Sequence, residues 1–249
     1  MVALDAPSPL DRTSFDALSL DVGGVLVVPD QGMLGYALAQ AGIAHDPGRF
    51  TDGHYVAMAE VDRAAARPER FREYADAFLR WAGVPDHQVD EALAALAAVL
   101  VAPIWHQPLP GAHAALARLA AAGVRLAVTS NSDGTVADML ARYAWVNVGE
   151  GAGVPVEHIS DSGVVGAHKP EPAIFEATAA GLGLPLDRIC HIGDAGGFDA
   201  DGAAAVGMLA VHVDPLGLCE ADHVHVASLA DFTERLLGPV PGASRRSTD

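Results

Sequence analysis

After Pro108 and Pro110 the chain alternates short apolar runs with Ala/Leu-rich stretches, and this alternation admits very few folds. Strands are expected over 16–21, 124–129, 156–160, 188–193, 208–213 and 224–227. Helices are expected over 113–122, 134–143, 171–180, 199–206 and 229–237. Strands separated by helices run parallel and are covered on both faces. The expected fold class is therefore α/β, with a doubly wound parallel sheet. Residues 29–102 break the alternation. They read as helices over 33–41, 55–66, 69–82 and 86–101, stopped by Gly42, Gly83, Pro85 and Pro103, with no strand pattern between them. The expected organisation is a core of 1–28 and 106–238, a helical cap of 29–105, and a disordered Pro/Gly/Ser/Arg tail of 239–249. Residues 142–155, around Trp145, carry no clear pattern.

Composition narrows the partners. The net charge of −17 argues against nucleic acid or an anionic membrane surface, because phosphates are held by Lys and Arg. No apolar run approaches the roughly 18 residues of a membrane helix, and 1–14 lacks a basic region followed by an apolar block. Cys190 and Cys219 make no disulfide framework, so a reducing, cytoplasmic setting is expected. The chain is expected to work as a monomer or homodimer. Its 15 basic residues are 14 Arg and one Lys, Lys169. Lys is a compact point charge where Arg is a planar fork, so the lone Lys marks a place that needs the point charge.

Four stretches carry the chemistry. The first strand delivers Asp21 to the turn at Gly23 and Gly24, where the backbone can bend sharply and approach a ligand. The strand over 124–129 leads into Ser130, Asn131 and Ser132. Lys169 stands just before a helix. The strand over 188–193 leads into Asp194, with Asp199 five residues on. In a doubly wound sheet these strand ends converge on one edge. Asp21 and Asp194 suit an oxygen-seeking cation such as Mg²⁺, which binds through one or two carboxylates plus substrate phosphate. Ser130 and Lys169 suit phosphoryl oxygens, and Asp21 suits attack on phosphorus.

This set, in this order, resembles the haloacid dehalogenase (HAD) superfamily of hydrolases. The matching stretches are Asp21-Val22-Gly23-Gly24-Val25-Leu26, Leu126-Ala127-Val128-Thr129-Ser130-Asn131, Lys169 within His168-Lys169-Pro170, and Gly193-Asp194 with Asp199. The helical block matches that family's α-helical cap, inserted after the first motif. The resemblance implies Asp21 as nucleophile, Mg²⁺ shared by Asp21, Asp194, Asp199 and the backbone of Gly23, and a phosphoryl group bound by Ser130, Asn131 and Lys169. It selects Asp199 over Asp201 as the second acid. The expected activity is a Mg²⁺-dependent phosphatase acting on a small, anionic phosphorylated metabolite.

One departure stands out. Phosphatases of this family usually place a second Asp, a general acid/base, where this chain has Gly23. Either another group supplies the proton, or a good leaving group needs little help, or turnover is low. Asp30 and His54 are the substitutes considered, both expected to be solvated. Asp30, His54, Tyr55, Arg63 and Trp81 are the unranked cap residues for substrate selection. His168 is expected to face water, and Cys190 and His191 to pack within their strand. The alternative readings are a metal-independent 2-haloacid dehalogenase and a HAD-like binding protein with impaired catalysis.

Overall fold

A computed structural model of the chain describes residues 10–63, 70–97, 99 and 104–239. The apolar run before Asp21 forms β1 (Ala17–Leu20), buried at every position. β2 (Val27–Pro29) follows, then helices α1 (Gln31–Gln40), α2 (Phe50–Arg63), α3 (Arg70–Trp81) and α4 (Val89–Ala97). After β3 (Trp105–Pro108) come α5 (Ala112–Ala121), β4 (Arg125–Ser130) and α6 (Val136–Arg142). Next are β5 (Val146–Val148), β6 (Val154–Val156), β7 (His158–Asp161), α7 (Ser162–Val165) and α8 (Pro172–Leu182). β8 (Ile189–Gly193), α9 (Gly202–Ala205), β9 (Leu209–Val213), β10 (Val224–Val226) and α10 (Leu229–Leu237) complete the chain.

Six strands form one parallel sheet in the order β10-β9-β8-β1-β4-β7. The chain leaves β1 for β4 and β7 on one side, then returns to build β8, β9 and β10 on the other. β1 is thus the point where the winding reverses, and its carboxyl end is where such sheets open a ligand crevice.

Alternation along the strands sorts side chains between the two faces. Leu18, Leu20, Leu126, Val128, Cys190 and Ile192 pack with α5 and α10 residues in the larger core. Ala17, Ala127 and Ile189 pack under α8, against Ile174, Phe175 and Leu182. That second face also carries a buried polar seam. His191 Nδ1 and Ser19 Oγ are 3.0 Å apart, Ser19 Oγ and Thr129 Oγ1 2.7 Å, and Thr129 Oγ1 and Thr178 Oγ1 2.7 Å. Thr178 donates to Ser160 Oγ at 2.8 Å. Each of these buried groups has a partner, as burial demands.

The helical block has its own core, built on Leu34, Leu38, Phe50, Phe78, Leu79 and Ile104. Where no strand was expected at its edges, β2 and β3 pair as an antiparallel ribbon, with Val28 opposite Gln107 and Pro29 opposite Trp105. Three or four residues ending in proline are too short to show a strand period, so the ribbon leaves little trace in the pattern. The strand expected over 156–160 is two strands, β6 and β7, and the unassigned stretch holds β5, paired to β6. The helix expected over 199–206 begins earlier, as a wide π turn over Gly196–Asp201. The tail over 239–249 lies outside the described residues from 240 onward. Among the described residues, no helix is long and apolar enough to cross a membrane.

Candidate active site

The three strand ends meet as the alternation requires. Asp21 follows β1, Ser130 closes β4, and Asp194 follows β8; all three are buried. They line a cavity of about 370 Å³ together with Gly23, Lys169 and Asp199. Lys169 reaches this edge from the loop before α8. Its Nζ lies 2.9 Å from Asp21 Oδ1 and 2.6 Å from Asp199 Oδ1. Asn131 fixes the loop: its side-chain carbonyl accepts from the Lys169 backbone amide at 2.7 Å, and its amide donates to the Lys169 carbonyl at 3.1 Å. The Asn131 side chain, expected to bind substrate, is therefore engaged in holding Lys169. His168 is exposed, as expected.

The electrostatics follow from one ammonium facing three buried carboxylates. Burial pushes the Asp21 carboxyl up to about 7; Lys169 pulls it down, and Asp199 and Asp194 push it further up. Burial acts the same way on Asp199, but Lys169 and the His191 hydrogen bond outweigh it and hold this carboxyl below its ordinary range. On Lys169 burial favours the neutral form, yet Asp199 and Asp21 prevail and raise it. Asp199 is the better paired acid: His191 Nε2 lies 2.9 Å from its Oδ1, and the Ala195 amide donates to its Oδ2 at 3.1 Å. The polar seam under α8 thus ends on Asp199. Asp201 lies apart, exposed, beside His223.

Two glycines shape the floor. Gly24 has φ +62, and a Cβ there would come within 2.1 Å of Asp194 Oδ2, so a side chain at this position would evict the carboxylate. At Gly23 a Cβ would stand 3.2 Å from Trp105 Cζ3. The indole of the ribbon residue Trp105 covers the spot where the missing second Asp would project.

The sequence offers His54 and Tyr55 of α2 only as unranked cap residues, and Asp62 not at all. His54, expected to be solvated, is 2% exposed, with Nε2 2.8 Å from Asp194 Oδ2 and Nδ1 2.8 Å from the Tyr74 hydroxyl. Tyr55 donates its hydroxyl to the Gly24 carbonyl at 2.8 Å. Asp62 accepts from the backbone amides of Gly196 and Gly197 at 2.7 and 2.9 Å. The available signal is the spacing of His54, Met58 and Asp62, four residues apart on one helix face. Asp161 was also missed; it gathers the Gly134 and Val136 amides and so fixes the loop after Ser130. Asp30 does not line the cavity: it caps α1 by accepting from the Met33 amide at 2.7 Å. Arg63 and Trp81 do not line it either.

A parallel α/β sheet with an Asp at its switch point, a Lys bridging two acids and helices laid over the crevice defines a class of hydrolase scaffold. The haloacid dehalogenase-like hydrolase family model matches residues 15–207, and the chain belongs to that family. The mouse haloacid dehalogenase-like hydrolase domain-containing protein 3 is 32% identical over 149 residues, a match covering 58% of this chain and 57% of the mouse protein. The chain thus spans little more than half of that relative. Among solved structures, a HAD phosphatase from Thermococcus onnurineus superposes with a TM-score of 0.54 at 19% identity, over 90% of this chain and 99% of the other. The L-2-haloacid dehalogenase from Xanthobacter autotrophicus with chloropropionic acid covalently bound superposes with a TM-score of 0.52 at 16% identity, over 88% and 97%. At these identities the likeness is one of fold.

Proposed function

We propose that this hydrolase is a Mg²⁺-dependent phosphatase that removes phosphate from a small phosphorylated metabolite through an aspartyl-phosphate on Asp21. The observation that carries this reading is the buried trio Asp21, Asp194 and Asp199, which can each offer an oxygen within 4.8 Å of the others, with Lys169 the one Lys or Arg among the described residues in ion-pair reach of them. A divalent cation fits such an excess of buried carboxylate, and oxygen donors fit Mg²⁺. Asp21, Asp194 and the Gly23 carbonyl would hold it. Asp199, already engaged by Lys169, His191 and Ala195, contributes to the charge balance. When bound, the cation supplies charge neutralisation and polarises phosphoryl oxygens.

The chain's own groups do the rest. Lys169 favours the ionised form of Asp21 against its burial and aims it, and its ammonium meets the charge that builds on the phosphoryl oxygens. Ser130, at the end of β4, positions that group. An Asp21 carboxylate oxygen forms the bond to phosphorus as the ester oxygen departs with its electron pair; water then hydrolyses the acyl phosphate and regenerates Asp21. With Gly23 covered by Trp105, no side chain at that position protonates the departing oxygen. General acid help is worth about 10²–10⁴-fold, so the favoured substrates are acyl, enol or aryl phosphates, whose leaving oxygens need it least. A reducing, cytoplasmic setting, consistent with two free cysteines, is part of this reading.

The same Gly23–Trp105 pair favours a second reading, 2-haloacid dehalogenation, because a departing halide needs no proton. Against it, Lys169 is, among the described residues, the one Lys or Arg lining the cavity, and two acids already hold it. Phosphate release from a panel of phosphate esters and anhydrides, and halide release from 2-haloacids, each with Mg²⁺ and with EDTA, separates the two. The phosphatase reading expects phosphate release that EDTA abolishes. Halide release that persists in EDTA reverses the assignment, and tight phosphate binding with no turnover overturns both.

A further inference from the structure

A second cluster of metal-ligating side chains lies behind the acidic trio, on β9, β10 and the loop between them. His212 is in β9 and pairs in register with His225 of β10; Cys219 and His223 come from the connecting loop. The three imidazole rings stand 5.3–5.8 Å apart between centroids. One ligand atom from each of the four residues lies within 4.8 Å of all the others. None of these residues has a part in the chemistry assigned to Asp21.

Their hydrogen bonds determine which nitrogens face inward. His212 is 4% exposed, and its Nε2–H donates to the Asp194 carbonyl at 3.1 Å. That bond leaves Nδ1 as the lone pair, and Nδ1 is buried without a hydrogen-bond partner among the described residues. His223 repeats the arrangement: Nε2 lies 3.0 Å from Asp201 Oδ1, and Nδ1 turns to Cys219 Sγ at 3.6 Å. His225 Nε2 is likewise buried and unpartnered. Buried polar atoms in folded proteins are almost always satisfied, so two orphaned imidazole nitrogens among three adjacent histidines and a thiol call for a shared partner. An imidazole whose far nitrogen is fixed by a carbonyl or carboxylate is the usual state of a metal-bound histidine. Asp214 presents the thiol, accepting from the Leu218 and Cys219 amides at 3.0 and 2.9 Å. Cys219, His212 and His223 also border a cavity of about 460 Å³, which offers an entry path.

We propose that His212, Cys219, His223 and His225 form a closed, structural tetrahedral site for Zn²⁺. Three imidazoles and a thiolate are the donors this borderline-soft ion prefers and Mg²⁺ avoids. Four protein ligands leave no open position, which marks the site as structural. On binding, Cys219 gives its thiol proton to solvent and the three imidazoles donate neutral lone pairs. Through His212 the site braces the backbone of Asp194. The inference stands independently of the phosphatase reading.

The test uses the full chain, stripped with a chelator and titrated with Co²⁺ as a spectroscopic stand-in for Zn²⁺, with Mg²⁺ in excess. One Co²⁺ per chain is expected, with tetrahedral d–d bands and a thiolate-to-cobalt charge-transfer band, both removed by one equivalent of Zn²⁺. Cys219→Ser should lose the charge-transfer band, and His223→Gln should bind at least tenfold more weakly. Asp21→Asn should keep the spectrum. Alkylation provides a second readout that needs no variant: Zn²⁺ should protect the half-buried Cys219, located by peptide mass. No charge-transfer band in the wild type, a band that survives Cys219→Ser, or Cys219 alkylated equally with and without Zn²⁺ overturns the proposal.

Discussion

Lys169 holds two acids at once from a buried position, 2.9 Å from Asp21 and 2.6 Å from Asp199. A guanidinium spreads its charge over a planar fork and cannot stand as one compact point between two carboxylates. Lys169→Arg is therefore expected to lower turnover by about 10²-fold or more in a steady-state assay, while Lys169→Met, which leaves buried carboxylates unpaired, should also destabilise the fold by about 3–5 kcal/mol in urea unfolding. Asp21 yields a prediction in pH. Its native carboxyl keeps its proton up to about 7, higher than in the unfolded chain. The native state then binds more protons than the unfolded state between the ordinary carboxylate range and about 7, so the Asp21 contribution falls as pH rises through that window. In EDTA, Asp21→Asn should gain stability over the wild type between pH 5 and pH 8, by about 2 kcal/mol once the shift is discounted. Mg²⁺ should erase most of that gain. A difference independent of pH in thermal melts would contradict the account.

At the scale of elements, α2 is the strap over the crevice. His54, Tyr55 and Asp62 reach Asp194, the Gly24 carbonyl and the Gly196–Gly197 amides in turn. Asp62→Ala strands two backbone donors, at a cost of about 1–3 kcal/mol, and should lower the urea midpoint; Asp62→Asn, which keeps an acceptor, should cost less. The acids and the lysine were legible in the chain because each sits at a strand end or loop that local pattern marks. The α2 contacts were not: an amphipathic period shows which face is covered, and His54 meets Asp194 across 140 positions of chain. Trp105 was missed for the same reason, since its ribbon is too short to read and its partner is Gly23. The polar seam from Ser160 to His191 was hidden because each member alone reads as one small or polar residue within a buried strand or, for Thr178, within α8.

For the whole molecule, one reversal of winding at β1 explains why distant motifs converge. The parallel order β10-β9-β8-β1-β4-β7 sets the ends of β8, β1 and β4 side by side, so that Asp194, Asp21 and Ser130 share one edge without any long-range design of their own. The alternation of strand and helix was enough to foresee that edge; the strand order that places β1 at its centre required the structure. The covering of Gly23 by Trp105 then separates this chain from a site with a resident acid at that position, and on the proposed phosphatase reading it favours phosphates with good leaving groups. The central claim is that Asp21 is the group that attacks phosphorus. The most direct measurement is the initial rate of Mg²⁺-dependent phosphate release from an activated aryl phosphate, compared between the wild type and folded Asp21→Asn. The account predicts a loss of about 10³-fold or more, as expected when a nucleophile is removed. Retention of the rate within tenfold would contradict it.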